Sequence, residues 1–416
     1  RRDAVPPPAV ETGLVCAGCG ALAPAHHPFT PRCPNRRPGD DIDHVMARGI
    51  DLLRLGPPAD PDPNPFIRYR ALFHAYHVAR AAGWGDTRYV DLVRELDDAV
   101  AGVDGTGFRV TPLVRARAIA RAAGLGSHGT VWVKDETGGV GGSQKARHLF
   151  TILLHLRAAE ALGHLTDRPP LAIASCGNAA LAAATLARAA RWPIDVYVPT
   201  WMSDAFGDEL DRLGARIHRC DRRRGDPAGD PAMLRFREAV SAGAIPFTVQ
   251  GPENALALDG GRTLGWEIGE QLAEQRSGGL DRIFVQVGGG AFAACVGATH
   301  PARRLHAVQA EGCAPLARAW SLAYEEYADG IVQFAPSQWE RFMWPWEDPR
   351  SLADGILDDE TYDWVSVFDA VGAWGDAPIV APEVDIVAAH ALAVSAGFDV
   401  SPTGSAGLAG LLAIID

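Results

Sequence analysis

From Phe108 to the C-terminus, short apolar runs alternate with stretches that have the periodicity of helices. The runs are rich in β-branched residues and have the length of buried strands. They lie at 131–134, 171–175, 194–199, 282–287 and 305–311. Strands that alternate with helices of ten or more residues form parallel sheets covered on both faces. The sequence therefore predicts an α/β fold with parallel sheets.

A different kind of sequence precedes this pattern. A chain of 416 residues is long enough for two or three domains. The first 40 residues are rich in proline, glycine, arginine and cysteine and have little periodicity. Residues 41–104 are predicted to be mostly helical, with amphipathic runs at 66–82 and 87–103 after a proline-rich break. We expect this extension to serve structure or an oligomer contact.

The sequence contains only two lysines, Lys134 and Lys145, among 39 basic residues. Arginine can replace lysine as a solvated charge, but it cannot lose its proton near neutral pH and form an imine. Lys145 follows a glycine-rich turn and lies just after Ser143, where an apolar-periodic helix is predicted to begin. Chance and codon usage are the alternative, but this position favours chemistry for Lys145, and Lys134 is interpreted as structural or ion-paired.

Three further turns lie at junctions between a predicted strand and a helix. Residues 174–178 present backbone N–H groups, the Ser175 hydroxyl and the Asn178 amide, although a simple tight turn would look the same. Residues 287–291 contain three glycines, which allow a backbone to approach a phosphate closely. Residues 401–407 begin a helix near the C-terminus. Parallel sheets place ligands at such turns.

Together these motifs resemble the β-family (tryptophan-synthase-like, fold type II) of pyridoxal-phosphate enzymes, and within it threonine synthases most. The matching segments follow the family's order and lie at 134–136, 142–147, 175–178, 288–290 and 401–410. The resemblance implies two parallel-sheet domains covered by helices, after a cysteine-containing extension at 1–104. The large cofactor domain would comprise 105–165 and 246–416, and the small α/β domain 166–245.

The resemblance also implies roles for individual residues. Lys145 would bind pyridoxal 5′-phosphate as a Schiff base and act as the general base at the substrate Cα. Asn178 would hydrogen-bond the cofactor's 3′-oxygen. The cofactor phosphate would lie on the backbone of Gly288, Gly289, Gly290 and Ala291, and the substrate would face Ser175, Cys176, Gly177 and Gln144.

Three positions depart from the family's usual residues. Gln144 replaces Phe, Val or His before the lysine, Cys176 replaces a Ser or Thr, and Ala146 replaces an acidic residue. Each change touches the wall of the site, so the substrate is not simply transferred from threonine synthase. We therefore predict a pyridoxal-phosphate lyase or synthase that catalyses elimination or replacement at Cβ or Cγ of a small L-amino acid.

Other functions are kept as alternatives. Within enzymes these are β-replacement, as in cysteine or cysteate synthesis, and amino-acid dehydration. A catalytically silent regulatory or partner subunit would belong to a different class. In the resembled family a Ser or Thr on a final strand hydrogen-bonds the pyridine nitrogen. This sequence ends at Asp416 with the helix that follows Thr403, so we expect residues beyond 416 to supply that partner.

The N-terminal cysteines form a separate candidate site. Cys16 and Cys19 have the CxxC spacing of a metal knuckle, and Cys33 follows fourteen residues later. His44, His26 or His27 could be a fourth ligand, with His44 preferred. A structural zinc, a metal-free remnant of a knuckle and redox chemistry all remain open. A catalytic zinc is not expected, because no metalloprotease-type motif occurs.

Charge and cysteine usage restrict the partners. A net charge of −12 disfavours nucleic acid and anionic membrane, and leaves a small amino-acid substrate as the expected partner. Seven scattered cysteines suggest a reducing compartment, which predicts a cytoplasmic protein. We also expect a homodimer.

Overall fold

The structure is a computed structural model that describes residues 12–24, 32–37, 39–49, 60–125, 129–299, 302–328, 331, 335–372 and 377–415. Its strands are β1 Gly13–Cys16, β2 Leu22–Pro24, β3 Met46–Gly49, β4 Leu113–Arg115, β5 Trp132–Lys134, β6 Leu171–Ala174, β7 Ile194–Pro199, β8 Arg216–Cys220, β9 Ile245–Pro246, β10 Leu280–Gln286, β11 Ala302–Ala310 and β12 Ile379–Ala381.

The helices of the first half are α1 Pro65–Arg68, α2 His74–Ala81, α3 Asp86–Asp104, α4 Arg117–Ala122, α5 Lys145–Ala161, α6 Asn178–Ala190, α7 Asp204–Arg212 and α8 Pro231–Ser241. Those of the second half are α9 Ala257–Glu274, α10 Ala291–Gly297, α11 Pro315–Tyr327, α12 Trp339–Phe342, α13 Trp364–Gly372, α14 Glu383–Ser395 and α15 Pro402–Ile415. Short 3₁₀ turns lie at Arg70–Leu72, Val140–Gly142, Ala335–Ser337 and Asp354–Ile356.

Two parallel sheets carry the fold, as the alternation of strands and helices predicts. One has the strand order β8-β7-β6-β9, and the other has the order β10-β11-β12. The β6 strand is buried along its whole length, which explains its continuous apolar sequence. The α/β fold with helix-covered parallel sheets is thus confirmed.

Two pairings are antiparallel. β4 pairs with β5 in a two-stranded ribbon, and β2-β1-β3 form a small sheet in the N-terminal extension. The sequence at 246–250 has the composition of a strand, but the strand comprises only Ile245–Pro246, and the Phe247 N–H adds one bond to the Ala172 carbonyl at 2.8 Å. β5 and β10 belong to separate sheets, although both line the same cleft.

The helix that begins at Lys145 lies at the centre of the molecule. α5 packs against α6 and α9, and its residues from Ala146 to Leu156 are all buried. The N-terminal helices join the same core, where the Phe66 ring lies 4.7 Å from Phe150 and 4.8 Å from Phe108 between centroids. The helical part of the extension is therefore packed into the body that positions α5.

The described residues bear on two further expectations, which concern disulfide bonds and membrane-spanning helices. All seven cysteines are free thiols, in agreement with the absence of a disulfide framework from the sequence pattern. Among the helices of the described ranges, none combines the length and the apolar character needed to cross a bilayer. The domain boundaries proposed from the sequence remain a prediction.

Candidate active site

One large cleft collects the strand-to-helix turns that the sequence analysis singled out. It has a volume of about 2320 Å³ and opens at the carboxyl ends of β6 and β10. The sequence-predicted residues that line it are Gln144, Lys145, Ser175, Cys176, Gly177, Asn178, Gly288, Gly289, Gly290 and Ala291. Residues that are more than 100 positions apart thus share one cavity, although the strands that precede them, β5, β6 and β10, belong to three different sheets.

Lys145 is the first residue of α5, and the glycine turn before it places its side chain in the cleft. Gly141 and Gly142 have φ angles of 67° and 65°, a left-handed conformation that side chains rarely adopt. The Lys145 N–H donates to the Ser143 hydroxyl across 3.4 Å. Among the described residues, no group hydrogen-bonds or ion-pairs with its ammonium. This leaves the Lys145 side chain free in the cleft.

The electrostatics of Lys145 favour an amine that can react. Burial lowers the pKa of Lys145, and the carboxylates of Asp358 and Asp363 oppose that shift from a distance. A lower pKa increases the fraction of neutral amine near neutral pH. The neutral amine is the form that attacks a carbonyl carbon or accepts a proton.

Lys134 has the opposite environment. Its ammonium donates to Glu267 Oε2 at 2.6 Å, to the Thr111 carbonyl at 2.7 Å and to Gln271 Oε1 at 3.0 Å. Glu267 also accepts from Arg147 Nη1 at 2.6 Å. The interpretation of Lys134 as ion-paired is confirmed, and Arg147 belongs to the same buried ion cluster.

The turn after β6 brings polar groups to the cleft floor. The Ser175 N–H donates to the Tyr197 carbonyl at 3.2 Å, and the Gly177 N–H donates to the Ser175 hydroxyl at 3.3 Å. Asn178 then begins the 13-residue helix α6 with its side chain exposed to the cleft. Burial raises the pKa of the Cys176 thiol, so it is a neutral wall group rather than a thiolate.

The glycine loop between β10 and α10 leaves no room for side chains. A Cβ on Gly288 would lie 2.3 Å from Asp358 Oδ2, and one on Gly289 would lie 3.2 Å from the Tyr362 ring. Gly290 has a φ angle of 94°, which strains any other residue. The Gly289 carbonyl accepts from the Asp363 N–H at 2.8 Å. The loop is thus a bare backbone cradle.

An acidic run that the sequence analysis left unassigned crosses this cradle. Asp358, Asp359, Glu360 and Asp363 lie within six residues, and burial raises the pKa of each of these carboxyl groups. The pKa of Asp359 rises to about 6 and that of Glu360 to about 7. Four acids in six residues were the available signal, but only the fold brings Asp358 and Asp363 near enough to Lys145 to affect its pKa.

The comparisons with known proteins place this geometry in a family. A family model described as pyridoxal-phosphate dependent enzyme matches residues 106–415. The chain belongs to this family. The relationship inferred from the motifs is therefore confirmed at that level, while a particular likeness to threonine synthase stays a prediction. A search of curated protein sequences finds no significant match.

Solved structures of pyridoxal-phosphate-dependent enzymes share the fold. Maize serine racemase is 19% identical with a TM-score of 0.56, covering 78% of this chain and 86% of that chain. The processed form of threonine deaminase isoform 2 from Solanum lycopersicum is 18% identical with a TM-score of 0.55, covering 80% and 81%. Diaminopropionate ammonia lyase from Escherichia coli is 17% identical with a TM-score of 0.53, covering 79% and 82%. At these identities the likeness concerns the fold alone.

The residues of this pyridoxal-phosphate-dependent enzyme fit its family's cofactor. Gly288, Gly289 and Gly290 line the cleft without side chains, and a glycine turn of this kind can present N–H groups to a phosphate. The free amine of Lys145 suits an aldehyde carbon. The exposed amide of Asn178 can donate to a ring oxygen from the same cleft.

The predicted metal ligands form a separate group. Cys16, Cys19, Cys33 and His44 come together in the N-terminal extension, and none of them lines the cleft. His26 and His27, the alternatives for the fourth ligand, lie outside the described residues. The sequence preference for His44 thus agrees with its position beside the three cysteines.

Proposed function

We propose that this protein is a pyridoxal-phosphate-dependent lyase or synthase acting at Cβ or Cγ of a small L-amino acid. The observation that carries the proposal is the amine of Lys145, which faces the glycine cradle in a shared cleft and has no polar partner among the described residues. Pyridoxal phosphate, when bound, supplies the electron sink for the reaction. The residues of the chain must then position the substrate and move its protons.

Each cleft residue has a defined task in this proposal. Lys145, with its lowered pKa, takes the proton from the substrate Cα and returns a proton where the reaction requires one. The free N–H groups at the start of α6 and the Ser175 hydroxyl bind the substrate carboxylate. Asn178 orients the cofactor ring, and Gln144 and Cys176 form the wall that contacts the substrate side chain.

The charge of the cleft favours one branch of the proposed chemistry. Of its described lining residues, eleven are acidic and four are basic. Lys134 is paired with Glu267, Arg282 Nε lies 3.5 Å from Asp281 Oδ2, and Arg222 donates to the Pro227 carbonyl at 2.7 Å. A threonine-synthase-like reaction on phosphohomoserine needs cations for the substrate phosphate. Elimination with deamination of an amino acid without a phosphate ester is therefore the better supported form of the proposal.

The proposal is tested on the purified protein reconstituted with pyridoxal phosphate. We expect a visible absorbance band, and borohydride reduction should attach the cofactor permanently to Lys145. We also expect the protein to release ammonia from one or more small hydroxy or diamino acids. Release of phosphate from phosphohomoserine would instead support the threonine-synthase-like form. Consumption of sulfide or of another nucleophile would support β-replacement. A bound cofactor without turnover of any amino acid would support the silent-subunit alternative.

We further propose that the protein is a homodimer, the assembly expected from the sequence, in which the extension serves structure or an oligomer contact. Sedimentation equilibrium of the reconstituted protein tests this directly. A monomer with full activity would contradict it.

A further inference from the structure

The N-terminal extension gathers four donor groups of one chemical kind. Cys16 lies at the end of β1, Cys19 in the turn before β2, Cys33 in the described segment 32–37, and His44 just before β3. One ligand atom from each of the four lies within 4.8 Å of all the others. Cys16, Cys33 and His44 are buried. Three thiols and an imidazole are thus concentrated away from the cleft.

The separations match the edges of a metal tetrahedron. Zinc binds sulfur at about 2.3 Å and imidazole nitrogen at about 2.0 Å, which gives ligand–ligand edges of about 3.5 to 3.8 Å. The Cys19 and Cys33 sulfurs are 3.6 Å apart, and the Cys16 sulfur is 3.5 Å from His44 Nδ1. Two of the six edges thus have the length that a closed tetrahedral site requires, and the other four are no longer than 4.8 Å.

The groups around the cluster prepare it for a cation. The Asp40 carboxylate lies 2.7 Å from His44 Nε2, so the hydrogen stays on Nε2 and the lone pair of Nδ1 faces the thiols. The Asn35 backbone N–H points at the Cys33 sulfur across 3.4 Å, and such a donor stabilises a thiolate. Both contacts are ones that a metal ligand uses in addition to its bond to the metal.

The backbone of the knuckle is also built for close approach. The Gly20 N–H donates to the Cys16 carbonyl at 2.8 Å, with Gly20 in a left-handed conformation at φ 72°. A Cβ on Gly18 would lie 2.1 Å from the Asp43 carbonyl oxygen. The turn that holds Cys16 and Cys19 is therefore pressed against the segment that carries His44.

We propose that Cys16, Cys19, Cys33 and His44 bind one structural Zn²⁺ ion. Three thiolates and one imidazole suit zinc, and four protein ligands leave no open position for a water or a substrate. The binding releases the thiol protons and involves no change of oxidation state.

The position of the site gives the metal a task at the cofactor cleft. Val45, next to His44, packs in one buried cluster with Ala291, the residue that follows the glycine cradle. The Asp43 N–H donates to the Pro336 carbonyl at 2.8 Å, and the Arg36 guanidinium donates to the Pro252 carbonyl at 3.0 Å. The metal would therefore hold in place the segment around His44 and Val45, which packs against the residue that follows the glycine cradle.

The first experiment uses the full-length wild-type protein and ZnCl₂ alone. After incubation and dialysis we expect one zinc per chain by elemental analysis, and X-ray absorption spectra with three sulfur ligands and one nitrogen ligand. Absence of zinc after reconstitution would overturn the proposal. So would a Cys19–Cys33 disulfide in freshly purified protein, detected by mass spectrometry after alkylation.

Variants test the ligand assignment. Cys19→Ser combined with Cys33→Ser should abolish stoichiometric zinc, whereas Cys220→Ser, a matched change at a cysteine outside the cluster, should retain it. Asp40→Asn should weaken zinc binding by about 10- to 100-fold without removing a ligand. Equal zinc content in the double variant and the wild type would place the metal elsewhere and contradict the assignment.

A last measurement separates this proposal from the proposed enzymatic function. Removal of zinc by a chelator should lower the melting temperature and raise the dissociation constant for pyridoxal phosphate, and added ZnCl₂ should restore both. Zinc content does not depend on turnover, so a protein that binds zinc but converts no amino acid would refute only the function. An unchanged melting temperature after complete zinc removal would refute the structural role.

Discussion

The two lysines of this chain lie in contrasting regions. In the buried ion cluster, Lys134 has an acceptor for each donor direction, and Glu267 is shared with Arg147. In the cleft, Lys145 faces two carboxylates at a distance and donates to neither. The same side chain is a structural charge where its partners are close and a chemical group where they are absent. Reactivity here follows from what the fold leaves unsatisfied.

The strongest test of this contrast replaces each of the two lysines in turn. Lys145→Ala should abolish the visible imine absorbance and reduce turnover by roughly 10³-fold or more, because the same amine binds the cofactor and moves the proton. Lys134→Arg is the matched control, and it should keep the absorbance. Mass spectrometry of the borohydride-reduced protein checks the attachment point. A cofactor still covalently bound in Lys145→Ala would refute the assignment.

A charge deletion should break the buried ion cluster instead. Glu267→Gln keeps the shape of the side chain but leaves Lys134 and Arg147 short of a counter-charge in a buried site. We expect a loss of about 3 to 5 kcal/mol in the free energy of unfolding, measured by urea denaturation. Glu209→Gln, which removes the partner of the exposed Arg212, is the control and should leave the midpoint nearly unchanged. A small effect at Glu267 would mean that Glu136 alone neutralises the cluster.

A steric change should weaken the cleft without touching a charge. Gly289→Val places a side chain against Tyr362 and moves the cradle backbone away from a phosphate. The dissociation constant for pyridoxal phosphate should rise by an amount equivalent to about 1 to 3 kcal/mol. Gly269→Val is the control, since a Cβ there meets no atom within 4 Å. Unchanged affinity in Gly289→Val would show that the phosphate binds elsewhere.

The smallest expected effect concerns the pH dependence of stability. Burial raises the pKa of Asp359 to about 6, against about 3.9 in an unfolded chain. The folded state therefore holds the extra proton between these values, and this contribution is present at low pH and lost as pH rises through about 6. Asp359→Asn should flatten the decline of unfolding free energy with pH. Asp204→Asn, at a highly exposed side chain, should keep the wild-type slope.

Sequence reasoning reached one half of the cleft because that half is made of local signals. Lys145 and the Gly288–Gly290 turn each lie at a strand-to-helix junction that the sequence marks with glycines. β5 and β10 belong to different sheets, so the meeting of the two junctions in one cleft depends on the tertiary packing. The ion-pair partner of Lys134 could not be predicted from the sequence. Glu267 lies in the middle of α9, more than 100 residues away, and nothing in its neighbourhood marks it as buried.

The acidic run at 358–363 is a second feature that the sequence alone does not explain. No role was assigned to Asp358 and Asp363 from the sequence, because their burial depends on the path of the backbone across the glycine cradle. β4 and β5 show the same limit of sequence-based prediction for the fold. Strands of three residues carry no pattern that distinguishes an antiparallel ribbon from a parallel pair. In the extension, the sequence offered Cys16, Cys19 and Cys33 with His44 as the preferred fourth candidate, and the fold brings these four side chains together.

The carboxylate of Asp358 against the glycine cradle has a consequence for how the cofactor enters. A phosphate dianion brought to that cradle would face a negative group whose pKa burial has already raised. The added negative charge must raise that pKa further, so the binding of pyridoxal phosphate is thermodynamically linked to proton uptake. Titration calorimetry in buffers of different ionisation enthalpy would measure this uptake. Proton uptake at Asp358 would by itself make the dissociation constant for pyridoxal phosphate rise with pH.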